Sequence, residues 1–95
     1  MAITMCTEMK RLRKMLDERK IEWYDDSTYS ATFWMIRTKF EYKGYDFSVI
    51  NGYGSYGGYY NGKNEGKLEL MIDACEPIGH LTAKQVIQRL DEYDG

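Results

Sequence analysis

Cysteine and histidine are the side chains readiest to bind a metal or attack a carbonyl, and this protein offers Cys6, Cys75 and His80. A structural zinc site wants four such ligands at set spacings, often with a C-x-x-C pair, and no such pair occurs here. Cys75 and His80 lie five apart and could pair as nucleophile and base, but no third group is evident to orient the imidazole. Burial of both thiols as small apolar side chains, with His80 a structural residue at a strand end, is the simpler reading. Gly52-Tyr53-Gly54-Ser55-Tyr56-Gly57 matches the G-x-G-x-x-G pattern of phosphate-cradling loops. Those loops must open a helix whose N-terminus holds the phosphate, and Gly58-Tyr59-Tyr60-Asn61-Gly62 cannot begin one. The carboxylate pairs Asp25-Asp26 and Glu41 with Asp46 read as solvated surface. These residues predict no metal, no cofactor and no enzymatic chemistry.

Tyrosine is the outlier. Nine occur in 95 residues, six of them between positions 42 and 60. Residues 51–66 hold six glycines, four tyrosines and three asparagines. Tyrosine presents a large amphipathic surface with few torsions to freeze, while glycine and asparagine let a backbone approach its partner closely. A connection this long without secondary structure is uncommon in a domain and often serves binding. Asn51, Tyr53, Tyr56, Tyr59, Tyr60 and Asn61 are thus the candidate binding residues. The competing readings are plain disorder and a structural one, a twisted hairpin end with its tyrosines packed back on the sheet and its glycines at bulges. A second candidate surface is cationic. Lys10, Arg11, Arg13 and Lys14 could contact phosphate while the loop tyrosines stack on unpaired bases. Nucleic-acid binders are normally basic, and the net charge here is −2, so nucleic acid is disfavoured.

The elements that must position these residues are legible from periodicity. Met5, Met9, Leu12 and Leu16 share one face of a helix running from about Met5 to Lys20, with Thr4 as its N-cap. Its other face carries the basic residues, so residues 8–20 hold six bases against three acids. Ile21 to Tyr24 reads as a short extended segment stopped by Asp25-Asp26-Ser27. Trp34, Ile36, Thr38, Phe40 and Tyr42 then alternate with Arg37, Lys39 and Glu41, which describes a strand with one apolar face. Lys43-Gly44 is a two-residue hairpin loop that sets Tyr42 opposite Tyr45, Phe40 opposite Phe47 and Thr38 opposite Val49. Leu68, Leu70 and Ile72 mark another strand, and Ile78-Gly79-His80 a short extended piece after Pro77. Thr82-Ala83-Lys84-Gln85 is a capping box, with Leu81 and Val86 as its hydrophobic staple, opening a helix that buries Val86, Ile87 and Leu90.

That order predicts one α+β domain over residues 1–95: a two-layer arrangement of an antiparallel sheet of three to five strands with an N-terminal and a C-terminal helix on one face. The length excludes large enzyme folds such as barrels and kinases. With 43% hydrophobic and 29% charged residues, the sequence suffices to bury a core without staples. No apolar stretch approaches a membrane span, and Met1-Ala2-Ile3 leads into charge rather than a signal peptide, so a cytoplasmic location without membrane contact is expected. The exposed hairpin edge allows a monomer or a homodimer.

One run, Lys39-Phe40-Glu41-Tyr42-Lys43-Gly44-Tyr45-Asp46-Phe47-Ser48-Val49-Ile50-Asn51-Gly52-Tyr53-Gly54-Ser55-Tyr56-Gly57-Gly58, carries a resemblance. With Thr7-Glu8-Met9-Lys10-Arg11-Leu12, Asn64-Glu65-Gly66, Leu68-Glu69-Leu70-Met71 and Leu81-Thr82-Ala83, it resembles a group of small uncharacterised proteins carried by phages and mobile elements of gut bacteria. The resemblance implies an accessory gene product, of the kind that often binds a host factor, including defence proteins or their signalling nucleotides. It carries over no catalytic residue. The expected function is a non-enzymatic binding module acting on a host protein or small ligand through the Gly/Tyr loop, anti-defence inhibition included. The alternative is a nucleic-acid-associated regulator using the basic helix.

Overall fold

A two-residue turn organises the sheet. In the computed structural model, which describes residues 5–73 and 75–93, Lys43 and Gly44 take φ of 57° and 80°, the left-handed pair of a tight hairpin. The turn joins β3 (Trp34–Tyr42) to β4 (Tyr45–Gly52) with Tyr42 opposite Tyr45, Phe40 opposite Phe47 and Thr38 opposite Val49, the expected register. Phe40 and Phe47 stack at 5.2 Å between ring centroids. On its far side β4 pairs with β7 (Leu68–Ile72), and β7 pairs with β8 (Ile78–Leu81). At the opposite edge, β1 (Trp23–Asp25) and β2 (Thr28–Tyr29) both lie along β3. The Asp25-Asp26-Ser27 break expected from the sequence is thus an interruption of one edge. The strand resumes because Asp26 N donates to Arg37 O and the Ser27 hydroxyl accepts from Arg37 N, keeping the segment on β3. All these pairings are antiparallel.

Two helices cover one face. α1 (Thr7–Glu18) buries Met9, Leu12 and Leu16, and α2 (Ala83–Glu92) buries Ala83, Val86, Ile87 and Leu90. They meet the inward residues of the strands, among them Ile36, Phe40, Phe47, Val49, Leu68 and Leu70, in one core. The result is the α+β two-layer arrangement expected. The capping box at α2 is formed, with Thr82 Oγ1 accepting from Gln85 N at 3.2 Å and Gln85 Oε1 from Thr82 N at 2.8 Å. α1 is shorter than its periodicity suggests. Cys6 holds the N-cap position without a side-chain bond, and the expected cap, Thr4, lies outside the described residues.

The helices run parallel. Glu8, in the first turn of α1, accepts from the Ala83 amide that opens α2, at 2.8 Å. Arg19, just past α1, grips Asp91 near the end of α2 through two bonds of 2.7 and 2.8 Å. Lys43 donates from the β3–β4 turn to the Asp91 carbonyl at 3.1 Å. A carboxylate therefore serves the amino end of α2 and an ammonium its carboxyl end, the arrangement that its dipole favours. Among the described residues, no helix is long and apolar enough to cross a membrane.

Candidate functional site

The glycine- and tyrosine-rich stretch is ordered by polar groups buried at its base. Asn51 ends the inward row of β4 and is 1% exposed. Its amide and that of Asn64 bond reciprocally at 3.1 and 2.9 Å, and Asn51 Nδ2 also donates to Lys67 O at 2.9 Å. Ser55 folds back, its hydroxyl accepting from Gly52 N at 3.0 Å and bonding Gly52 O at 3.1 Å. Gly58 N then donates to Ser55 O, and Gly54 N to Tyr59 O. Glu69, which strand alternation places on the open face of β7, is buried because its carboxylate accepts from Tyr56 N at 2.8 Å. Tyr56 O accepts from His80 N at 3.0 Å, which straps the loop to β8.

Beyond this base the backbone makes a second, two-stranded sheet, β5 (Tyr59–Tyr60) with β6 (Lys63–Asn64), turned at Asn61-Gly62. The stretch is therefore a structured hairpin end, and Gly58 marks its tightest point. A Cβ there would collide with Ser55 Oγ and the Gly52 carbonyl. This packing favours the structural reading of the glycines, and it removes Asn51 from the exposed candidates.

The four candidate tyrosines divide. Tyr53 and Tyr59 are half-buried and meet edge-on at 4.6 Å, both against Trp34 at 5.7 and 6.1 Å. Tyr56 and Tyr60 remain 56% and 75% exposed, and Asn61 is exposed at the turn. Phe33 stacks on Tyr53 at 6.1 Å, and Tyr29, directly cross-strand from Trp34, is exposed beside it. Phe33 and Tyr29 thus flank an aromatic cluster of Tyr53 and Tyr59 around the buried Trp34. Phe33, Tyr29 and Trp34 are absent from the candidates named by sequence. The signal was available: continuing the hairpin register past the pair of Met35 with Gly52 sets Trp34 opposite Tyr53.

The cationic candidates separate as well. Arg13 is committed to the fold, its Nε donating to the buried Thr38 hydroxyl at 2.7 Å and its guanidinium lying 4.6 Å over the Trp23 ring. It also pairs with Asp25 at 3.4 Å. Arg11 pairs with Glu8 at 3.0 Å, while Lys10 and Lys14 are exposed. Such an arrangement leaves two of the four as solvated charges.

Cys6 and Cys75 are free thiols on separate elements, and burial pushes the Cys6 thiol above its ordinary range. Cys75 is exposed rather than buried, contrary to expectation, because it follows the β7 strand into a surface turn. His80 bonds Glu65 at 3.1 Å instead of approaching Cys75. Among the described residues no cluster of three or more His, Cys, Asp or Glu can hold a metal. Gly52 to Gly57 opens no helix, so the phosphate-cradle pattern has no dipole to use. Comparison with models of protein families, with curated proteins and with solved structures finds no match to this sequence.

Proposed function

We propose that the protein is a non-catalytic binding module that presents the exposed edge of its aromatic hairpin end to a host protein or small ligand. The resemblance to mobile-element proteins makes a host factor the natural target, and inhibition of host defence the natural outcome. What carries the reading is the contrast within one short segment. Buried amides, a buried carboxylate and close-packed glycines fix the backbone, yet Tyr56 and Tyr60 stand in water, and Phe33 and Tyr29 are likewise exposed. A scaffold that rigid lowers the ordering cost of association, and aromatic side chains supply most of the energy at such contacts.

The experiment separates the two halves of the tyrosine set. Replacing Tyr29, Tyr56 and Tyr60 with serine is expected to leave the melting temperature within a few degrees of the parent and to abolish recovery of the partner from host lysate. Replacing Tyr53 and Tyr59 is expected to lower the melting temperature, since both rings pack on Trp34. Undiminished recovery by the exposed-tyrosine variant would refute the proposal.

A further inference from the structure

Two asparagines in this sequence precede glycine, Asn51-Gly52 and Asn61-Gly62. An Asn-Gly step is chemically vulnerable because the glycine nitrogen, unhindered by a side chain, can attack the asparagine Cγ. The fold treats the two steps oppositely. Asn51 is 1% exposed and its amide is held in bonds to Asn64 and the Lys67 carbonyl. Its would-be nucleophile, Gly52 N, is engaged by the Ser55 hydroxyl at 3.0 Å, and the space round Gly52 is filled by the Trp34 carbonyl and Met35. Asn61 is exposed at φ 52°, with no side-chain hydrogen bond among the described residues, and no atom would touch a Cβ built at Gly62. The ladder of Tyr59 with Asn64 and Tyr60 with Lys63 is anchored at its base by Glu65 N on Gly58 O and by Asn64 on Asn51. The turn lies beyond its last pair, Tyr60 with Lys63. Fraying of that outermost pair frees the turn backbone to reach the reactive geometry while the anchored base stays closed.

We propose that Asn61 is a self-modification site, converted by its own backbone to aspartate and isoaspartate while Asn51 is preserved by the fold. Solvent base takes the Gly62 amide proton and the nitrogen attacks Asn61 Cγ. The new N–C bond closes a succinimide as the bond from Cγ to Nδ2 breaks and ammonia leaves. Water then opens the ring at either carbonyl, giving aspartate or isoaspartate, with no oxidant or reductant involved. Each product adds one negative charge between Tyr60 and Lys63, and isoaspartate also lengthens the backbone inside a two-residue turn. The inference rests on the backbone geometry and not on the binding reading.

Chymotryptic mapping of the native protein aged at mildly alkaline pH tests it, since cleavage at Tyr53, Tyr56, Tyr59 and Tyr60 parts Asn51 from Asn61. Mass reports the conversion, and retention time separates the two isobaric products. A gain of roughly one mass unit is expected in the peptide holding Asn61, split between the two products, and absent from that peptide in Asn61→Gln. The Asn51 peptide is expected to change at least about a hundredfold more slowly, since exposing it requires near-global opening, and to catch up when the protein is aged in urea. Equal rates at both sites in the native protein, or a protected Asn61, would overturn the proposal. Neither outcome bears on partner capture.

Discussion

Arg13 is the residue on which most separate parts of the molecule converge. It leaves α1 to bond Thr38 on β3, pair with Asp25 on β1 and cover the Trp23 ring. Thr38 is fully buried, so removing the guanidinium leaves its hydroxyl with only the Met9 sulfur, at 3.2 Å. Arg13→Met, which retains the aliphatic stem, is expected to cost about 1.5–3 kcal/mol in chemical denaturation, the range for hydrogen bonds to charged groups. Asp25 adds a pH dependence. The Ser27 hydroxyl bonded to its carboxylate, and then the Arg13 guanidinium, hold its pKa below the ordinary aspartate range. A carboxyl whose pKa is lower folded than unfolded contributes stability above the unfolded value and loses it as pH falls through the folded one. Acid titration below about pH 4 is therefore expected to destabilise the parent more steeply than Asp25→Asn, read as melting temperature against pH. The carboxylate is 46% exposed, so the difference between the two curves will be small.

At the scale of elements, glycine positions in the loop differ sharply in what they tolerate. Gly58→Ala drives a Cβ into Ser55 Oγ and the Gly52 carbonyl and should cost about 1–3 kcal/mol, as overpacking does. Gly54→Ala meets nothing and suffers only from its φ of 75°, about 1 kcal/mol. A loop that was merely a flexible tether would show no such ranking. The same contrast explains what could be read beforehand. The β3–β4 register followed from a period of two and a turn of two residues, and the α2 start from four consecutive side chains, because both are local codes. The loop's order depends on Asn51 finding Asn64, Glu69 finding Tyr56 and His80 finding the Tyr56 carbonyl, partners 13 to 24 positions apart. Nothing in the neighbouring sequence announces those bonds. A glutamate in an alternating strand reads as solvated until another segment folds over it, and the site's half-buried tyrosines were obscured for the same reason.

At the scale of the whole molecule, the core has a lid made from both ends of the sequence. α2 supplies Ala83, Val86, Ile87 and Leu90 to a sheet face that α1 alone cannot cover. Truncation after Thr82 is expected to abolish the cooperative thermal transition seen by circular dichroism, because Leu68, Leu70 and Phe47 would lose their cover. A truncated protein that still melted cooperatively would show that α2 is dispensable.

Side-by-side helices pointing the same way have an electrical consequence. In antiparallel neighbours the two macrodipoles oppose each other, whereas here they add, giving the helical layer one positive and one negative end. The charges set at those ends, Glu8 at one and Lys43 at the other, offset the summed dipoles, so added salt is expected to weaken both contacts together.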